Sequence, residues 1–174
     1  MKTLTDQLAQ YADYHRDRRN IVTHFIGIPM IVLAVQVLLS RPAWQLGAFV
    51  LTPALLATLL TCLYYVALDR PLGVLMAALL ATGLSLAGTI AALPTSAWLT
   101  WGIGLFVIGW AIQFVGHIYE GRKPAFVDDL IGLIIGPLFV VTEVVFALGL
   151  RRDLHAAVEA RVGPVRERGH LART

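Results

Sequence analysis

Charge is scarce in this chain. Asp, Glu, Lys and Arg make up 14% of its 174 residues, where a soluble domain carries about 25%. That scarcity, with a mean hydropathy of +0.72, excludes an ordinary soluble domain and points to an integral membrane protein. Cysteine is scarcer still. Cys62 stands alone inside an apolar stretch, so no internal disulfide can form and the redox compartment stays open. The first 19 residues have no room for an apolar leader, since Lys2, Asp6, Asp13, Arg16, Asp17, Arg18 and Arg19 interrupt them; a signal peptide is not expected. The net charge of +3 comes mostly from arginines near segment ends and in the tail. Such placement fits membrane orientation and lipid headgroups, not nucleic acid.

What is present is long apolar runs. Residues 21–40, 44–68, 71–93 and 97–118 are free of charge. Each reaches the roughly 20 residues that cross a hydrocarbon layer of about 30 Å. Short links with turn residues join them, at Ser40-Arg41-Pro42, Asp69-Arg70-Pro71 and Pro94-Thr95-Ser96. In lipid the backbone must satisfy its own hydrogen bonds, which predicts an all-α, polytopic membrane helical bundle with four spanning helices. Gly83, Gly88, Gly102, Gly104 and Gly109 read as sites of close helix packing. Ahead of the bundle, Leu4, Leu8, Tyr11 and His15 share one stripe of an amphipathic N-terminal helix, suited to the membrane surface. A fifth segment, 127–150, is opened by Asp128 and Asp129, interrupted at Gly136-Pro137, and contains Glu143. With a cytosolic N-terminus, Lys2, Arg16, Arg18, Arg19, Arg70, Arg122 and Lys123 fall inside and only Arg41 outside. The tail arginines join them inside only if 127–150 is broken or re-entrant, with its turn near Gly136-Pro137. Residues 1–155 then form one membrane-embedded catalytic domain, and 156–174 a polar basic tail.

This topology gathers His15, His24, His117, His155 and His170 at or just beneath the cytosolic face. One histidine at a membrane edge reads as an interfacial polar residue. Four from three segments read better as metal ligands, because neutral imidazole binds iron, zinc and copper. No His-His pair and no HxxxH occurs, which weighs against the two-iron site of membrane desaturases and favours one metal with three or four histidines. His15 and His24 lie nine residues apart and would point in opposite directions on an unbroken helix. Sharing a metal requires a break near Arg19-Asn20, with Asn20 as the following helix's N-cap. Tyr11, Tyr14 and Tyr119 read first as an interfacial belt, and second as hydroxyls near the site. Glu143, the only acidic residue inside an apolar segment, reads as functional or paired, with a histidine N–H as one partner. Glu120 is either a ligand or acceptor beside His117, or the partner of Arg122 or Lys123.

Three stretches carry a resemblance. The first is Tyr14-His15 with Asn20, His24, Gly27 and Pro29. The second runs Gln113-Phe114-Val115-Gly116-His117 and then Glu120-Gly121-Arg122-Lys123-Pro124-Ala125. The third is Gly136-Pro137-Leu138-Phe139 with Glu143 and Leu148-Gly149-Leu150-Arg151. Together, over about 11–155, they resemble the Mpo1-like family. The resemblance implies an Fe(II)-dependent dioxygenase that uses O2 to convert 2-hydroxy fatty acids to fatty acids one carbon shorter. It carries His15, His24 and His117 over as motif histidines, with His155 at a looser position; these four are the expected iron ligands. Glu120 and Glu143 join the triad as expected catalytic residues. Tyr14, Asn20, Gln113, Arg122 and Lys123 are the expected substrate-binding residues. Arg16 and Arg19 are further candidates for the carboxylate, though anchoring at the inner face ranks first for each. The other readings are a zinc-dependent membrane lipid hydrolase on the same histidines, and a non-catalytic scaffold or small transporter.

Overall fold

The computed structural model of the protein describes residues 2–125 and 128–166, leaving His170 and the last tail arginines outside the described residues. The described residues are mostly helical. The elements are α1 (Leu4–Asp13), α2 (Arg18–Leu39), β1 (Trp44–Leu46), β2 (Phe49–Leu51), α3 (Pro53–Leu68), α4 (Arg70–Ala91), α5 (Thr95–Glu120), α6 (Gly132–Ala147) and α7 (Arg152–Val162). The chain divides into two compact units. One runs through Ile28 and resumes at Ala111, and the other is Pro29–Trp110.

Among the described residues, three helices are long and apolar enough to cross a membrane, α2, α4 and α5, with 22, 22 and 26 residues, and α6 with α7 would make a fourth if the bent pair is one span. The expected span 44–68 is not one helix. Its first third is an antiparallel hairpin pairing Trp44 with Leu51 and Leu46 with Phe49, turned at Gly47 with φ +61°. Thr52 then caps α3 by accepting from Leu55 N, and Pro53 occupies its first turn, both start signals for a helix. α3 keeps only 16 residues, about 24 Å of rise.

In the Pro29–Trp110 unit the helices expose apolar faces: Leu59 and Leu63 on α3, Val74 and Leu86 on α4, Ile103 and Val107 on α5. A polar tie lies within it. Gln36 Nε2 donates to Thr58 Oγ1 at 3.2 Å and to Leu80 O at 3.0 Å, joining α2 to α3 and α4. Gly83 leaves room for Gln36, and Gly102 for Leu38, whereas Gly88 and Gly104 face open space. The small-residue reading therefore holds at the first two and not at the last two.

In the other unit the Leu4–Leu8–Tyr11 stripe is buried and packs with α6 and α7 instead of lying on a surface. α6 continues through Pro137, so the turn expected at Gly136-Pro137 is absent. Gly136 has another job: a Cβ there would stand 2.9 Å from the Tyr11 hydroxyl. The break comes at 148–151. Gly149 at φ +75° ends α6, with Leu150 N on Val145 O and Gly149 N on Phe146 O, a Schellman arrangement. α7 then leaves at a bend of 116° and runs through the expected domain boundary at 155.

Candidate metal centre

Helix α1 ends at Asp13 and α2 begins at Arg18, so the break between His15 and His24 lies at Tyr14–Asp17, earlier than Asn20. Asp17 serves this start: its Oδ1 accepts from Arg19 N at 2.8 Å. Asn20, inside the first turn, does not cap. It donates through Nδ2 to Tyr14 O at 3.3 Å and to Glu120 Oε2 at 3.1 Å.

The break turns His15 back onto the α2 helix. His15, His24 and His117 are 0%, 1% and 7% exposed, and each offers a ligand nitrogen within 4.8 Å of the others. Their hydrogen bonds set the tautomers. His15 Nδ1 lies 2.6 Å from Tyr11 O, and His24 Nδ1 lies 2.8 Å from Asn20 O. A carbonyl oxygen only accepts, so both Nδ1 atoms carry the hydrogen and both Nε2 atoms present lone pairs. Those two Nε2 atoms face each other at 2.9 Å. His117 Nδ1 is buried with no hydrogen-bond partner. Burial first, then the neighbouring His24, holds the His15 pKa well below the ordinary histidine value, which keeps its ring neutral.

A cation fits this set. Three converging imidazole nitrogens with backbone carbonyls behind two of them form the ligand arrangement that iron, zinc or copper takes. Three protein ligands leave coordination positions open, as at catalytic metals. Tyr11 stacks on His15 with ring centroids 4.2 Å apart, and Phe139 stands 5.7 Å from His15, so the wall is aromatic. Gly116 allows α5 to approach: a Cβ there would collide with the Thr23 hydroxyl and the Asn20 amide oxygen.

The other expected residues are placed as follows. Glu120 is buried but turned away from the cluster. Its Oε2 accepts from Asp17 N at 2.7 Å and from Asn20 Nδ2, and its Oε1 pairs with Arg166 rather than Arg122 or Lys123. Glu143 is half-buried on α6, where its charge acts on Arg16 and then His155. His155 is not brought to the three histidines; it stacks on Phe146 at 4.5 Å and lies 3.5 Å from Glu159. Gln113 shares the buried face of α5 with His117, and its Oε1 has no partner. Tyr14 donates to Asp128 at 2.7 Å, and Lys123 pairs with the same carboxylate. Arg122 donates to Asp13, and Arg19 pairs with Asp17 beside the Tyr119 ring. Arg166 did not stand out from the sequence, because its stretch reads only as a basic tail; Phe139 stood out only within the third resembling stretch, with no role beside the histidines.

A buried three-histidine cluster that could hold a metal ion, in a chain with helices long and apolar enough to cross a membrane, is the pattern a membrane metalloprotein would have. The chain matches the family described as 2-hydroxy-palmitic acid dioxygenase Mpo1-like over residues 1–148. It is also 34% identical over 161 residues to the 2-hydroxy-palmitic acid dioxygenase MPO1 of Saccharomyces cerevisiae, covering 90% of this chain and 87% of that protein. The chain belongs to the Mpo1-like family. No solved structure matches it.

Proposed function

We propose that this protein is a membrane-bound, Fe(II)-dependent dioxygenase that converts 2-hydroxy fatty acids to fatty acids one carbon shorter, with release of CO2. The enzyme class and substrate class rest on the family and the yeast relative. The observation that carries the metal is the pair of Nε2 lone pairs facing each other at 2.9 Å, buried beside the unpartnered His117 Nδ1. Two such lone pairs repel at that distance unless a proton or a cation lies between them, and a bound cation would satisfy all three rings at once.

The overall reaction balances without an organic co-substrate. R-CH(OH)-COOH and O2 give R-COOH, CO2 and H2O; the acid loses four electrons and O2 gains four. Bound iron would supply O2 activation and a template for the substrate head. The chain's own residues do the rest. Tyr11 O and Asn20 O fix which ring nitrogen of His15 and His24 is bare. Tyr11 and Phe139 exclude water from the rings. Glu120 ties the end of α5 to the α1–α2 connection, which sets His117 against the other two. The membrane reading rests on α2, α4 and α5 and their exposed apolar faces. The N-terminus and site lie on the cytosolic side by the arginine and lysine distribution; the membrane is the inner one in a bacterium, or the endoplasmic reticulum in a eukaryote. We read the α6–α7 bend as the re-entrant turn that would bring the tail to the same side.

Anaerobic Fe(II) reconstitution followed by O2 and 2-hydroxypalmitate tests this. One O2 consumed per C15 fatty acid formed, by oxygen electrode and mass spectrometry, is the expected result. Activity with zinc and no O2 uptake would refute the dioxygenase reading.

A further inference from the structure

In the same unit as the histidines, Asp13, Arg16, Glu120, Arg122, Pro164 and Arg166 line a cleft of about 460 Å³. Its floor adjoins the metal ligands along the chain, since Arg16 follows His15 and Glu120 lies one turn beyond His117. Two of its three guanidiniums already face carboxylates. Arg122 Nη1 donates to Asp13 Oδ2 at 3.0 Å, and Arg166 pairs with Glu120.

Arg16 differs. It is 7% exposed. Its Nε donates to Ala12 O at 2.7 Å and to His15 O at 3.1 Å, and its Nη1 to Gly163 O at 2.7 Å. All three partners are neutral carbonyls, and Arg16 makes no ion pair with any described residue. Glu143, Glu120, Glu159 and Asp13 act on it only through space. The end of α1 beneath it contributes on the order of half a negative charge. A buried guanidinium with no ion pair among the described residues is costly, and among them no acceptor is bound to Nη2.

We infer that this cleft is a carboxylate-binding site and that Arg16 is its principal contact, receiving the carboxylate of the 2-hydroxy fatty acid through Nη2. The identity of the ligand rests on the function proposed above; the site itself rests on the cleft and on a buried cation with no ion pair among the described residues. Carboxylate recognition is thereby assigned to Arg16, because Arg122 and Lys123 are occupied by Asp13 and Asp128.

The test is equilibrium binding to the metal-free full chain in neutral phosphatidylcholine nanodiscs, read by tryptophan fluorescence. The ligands are 2-hydroxypalmitate and hexadecane-1,2-diol, which differ only in the carboxylate. The wild-type protein is expected to prefer the acid by about tenfold or more, the worth of a charge-assisted hydrogen bond. Arg16→Gln is expected to reduce that preference to within about twofold of the bilayer partition ratio, and Arg16→Lys to retain part of it. Arg16→Lys keeps the charge and serves as the comparison if Arg16→Gln does not fold. No preference in the wild type, or an unchanged preference in Arg16→Gln, overturns the assignment whatever turnover shows. A preference lost in Arg16→Gln, in a protein whose iron-loaded wild type consumes no O2, would instead sink the dioxygenase reading and leave the carboxylate site standing.

Discussion

His15 Nε2 and His24 Nε2, 2.9 Å apart with both hydrogens committed to carbonyls on the far side of each ring, are the smallest unit of the proposed iron site. Removing either ring, or that of His117, takes away one of three nitrogens. Iron affinity is expected to fall by more than about 100-fold in His24→Ala and in His117→Ala, beyond the range of lost outer-shell partners. His155→Ala is expected to leave it within about threefold on the same scale; equilibrium dialysis against Fe(II) under argon measures both. Glu120 makes a different prediction. Its side chain is fully buried against Arg166, which is 57% exposed. Arg166→Ala leaves a buried carboxylate with only Asp17 N and Asn20 Nδ2, at a cost of about 1–3 kcal/mol. A chemical denaturation curve unchanged by Arg166→Ala would show that the pair is idle.

At the scale of elements, the approach of α5 to α2 depends on a missing side chain. Gly116→Ala forces a methyl into Thr23 and Asn20 and is expected to destabilise by about 1–3 kcal/mol, with weaker iron binding because His117 is the next residue. Gly88→Ala, which faces open space on α4, is expected to be neutral or to stabilise by up to about 1 kcal/mol. Thermal melts in detergent separate the two, and equal losses would contradict the packing described. The α1–α7 contact carries a pH signature. Arg161 donates to Asp6 at 2.6 Å, and this bond first, then Thr3, holds the Asp6 carboxyl below the ordinary aspartate value. The folded form thus binds its proton less readily than the unfolded chain. The stabilisation is complete above about pH 4, the unfolded value, and declines as pH falls from there toward the folded value. The gap in melting temperature between wild type and Arg161→Ala is therefore expected to narrow below that pH; a constant gap would count against the pair.

These elements also divide what the sequence reveals from what it hides. Charge-free length and end residues suffice for α2, α4 and α5, because runs of about 20 apolar residues bounded by charge read as helices of membrane-crossing length. The hairpin at 44–51 escapes that test, since an apolar strand and an apolar helix are alike in hydropathy; Gly47 and Thr52-Pro53 were the available signals. Histidine spacing correctly demanded a bend between His15 and His24, but the helix ends fall at Asp13 and Arg18 because Asp17, not Asn20, serves the start. His155 looked like a ligand because counting charges assigns a membrane side and not a distance. Arg16 ranked as an anchor because burial and the lack of an ion pair are tertiary facts.

For the whole molecule, the proposed topology puts the N-terminus and the C-terminal tail on the same side of the membrane, because the lysine and arginine distribution favours it. Protease accessibility of terminal tags in oriented vesicles is expected to expose both ends on the cytosolic side, and a protected C-terminal tag would make α6 and α7 a full crossing. The central claim is that three buried histidines from the α1–α2 connection, α2 and α5 hold one iron. Its most direct measurement is iron K-edge absorption on the anaerobically reconstituted protein, with metal quantified per chain. One iron per chain with three imidazole nitrogens in its first shell, lost together in the His15→Ala, His24→Ala, His117→Ala variant, is the predicted result. Full iron retention in that variant, or a shell without imidazole, would contradict it.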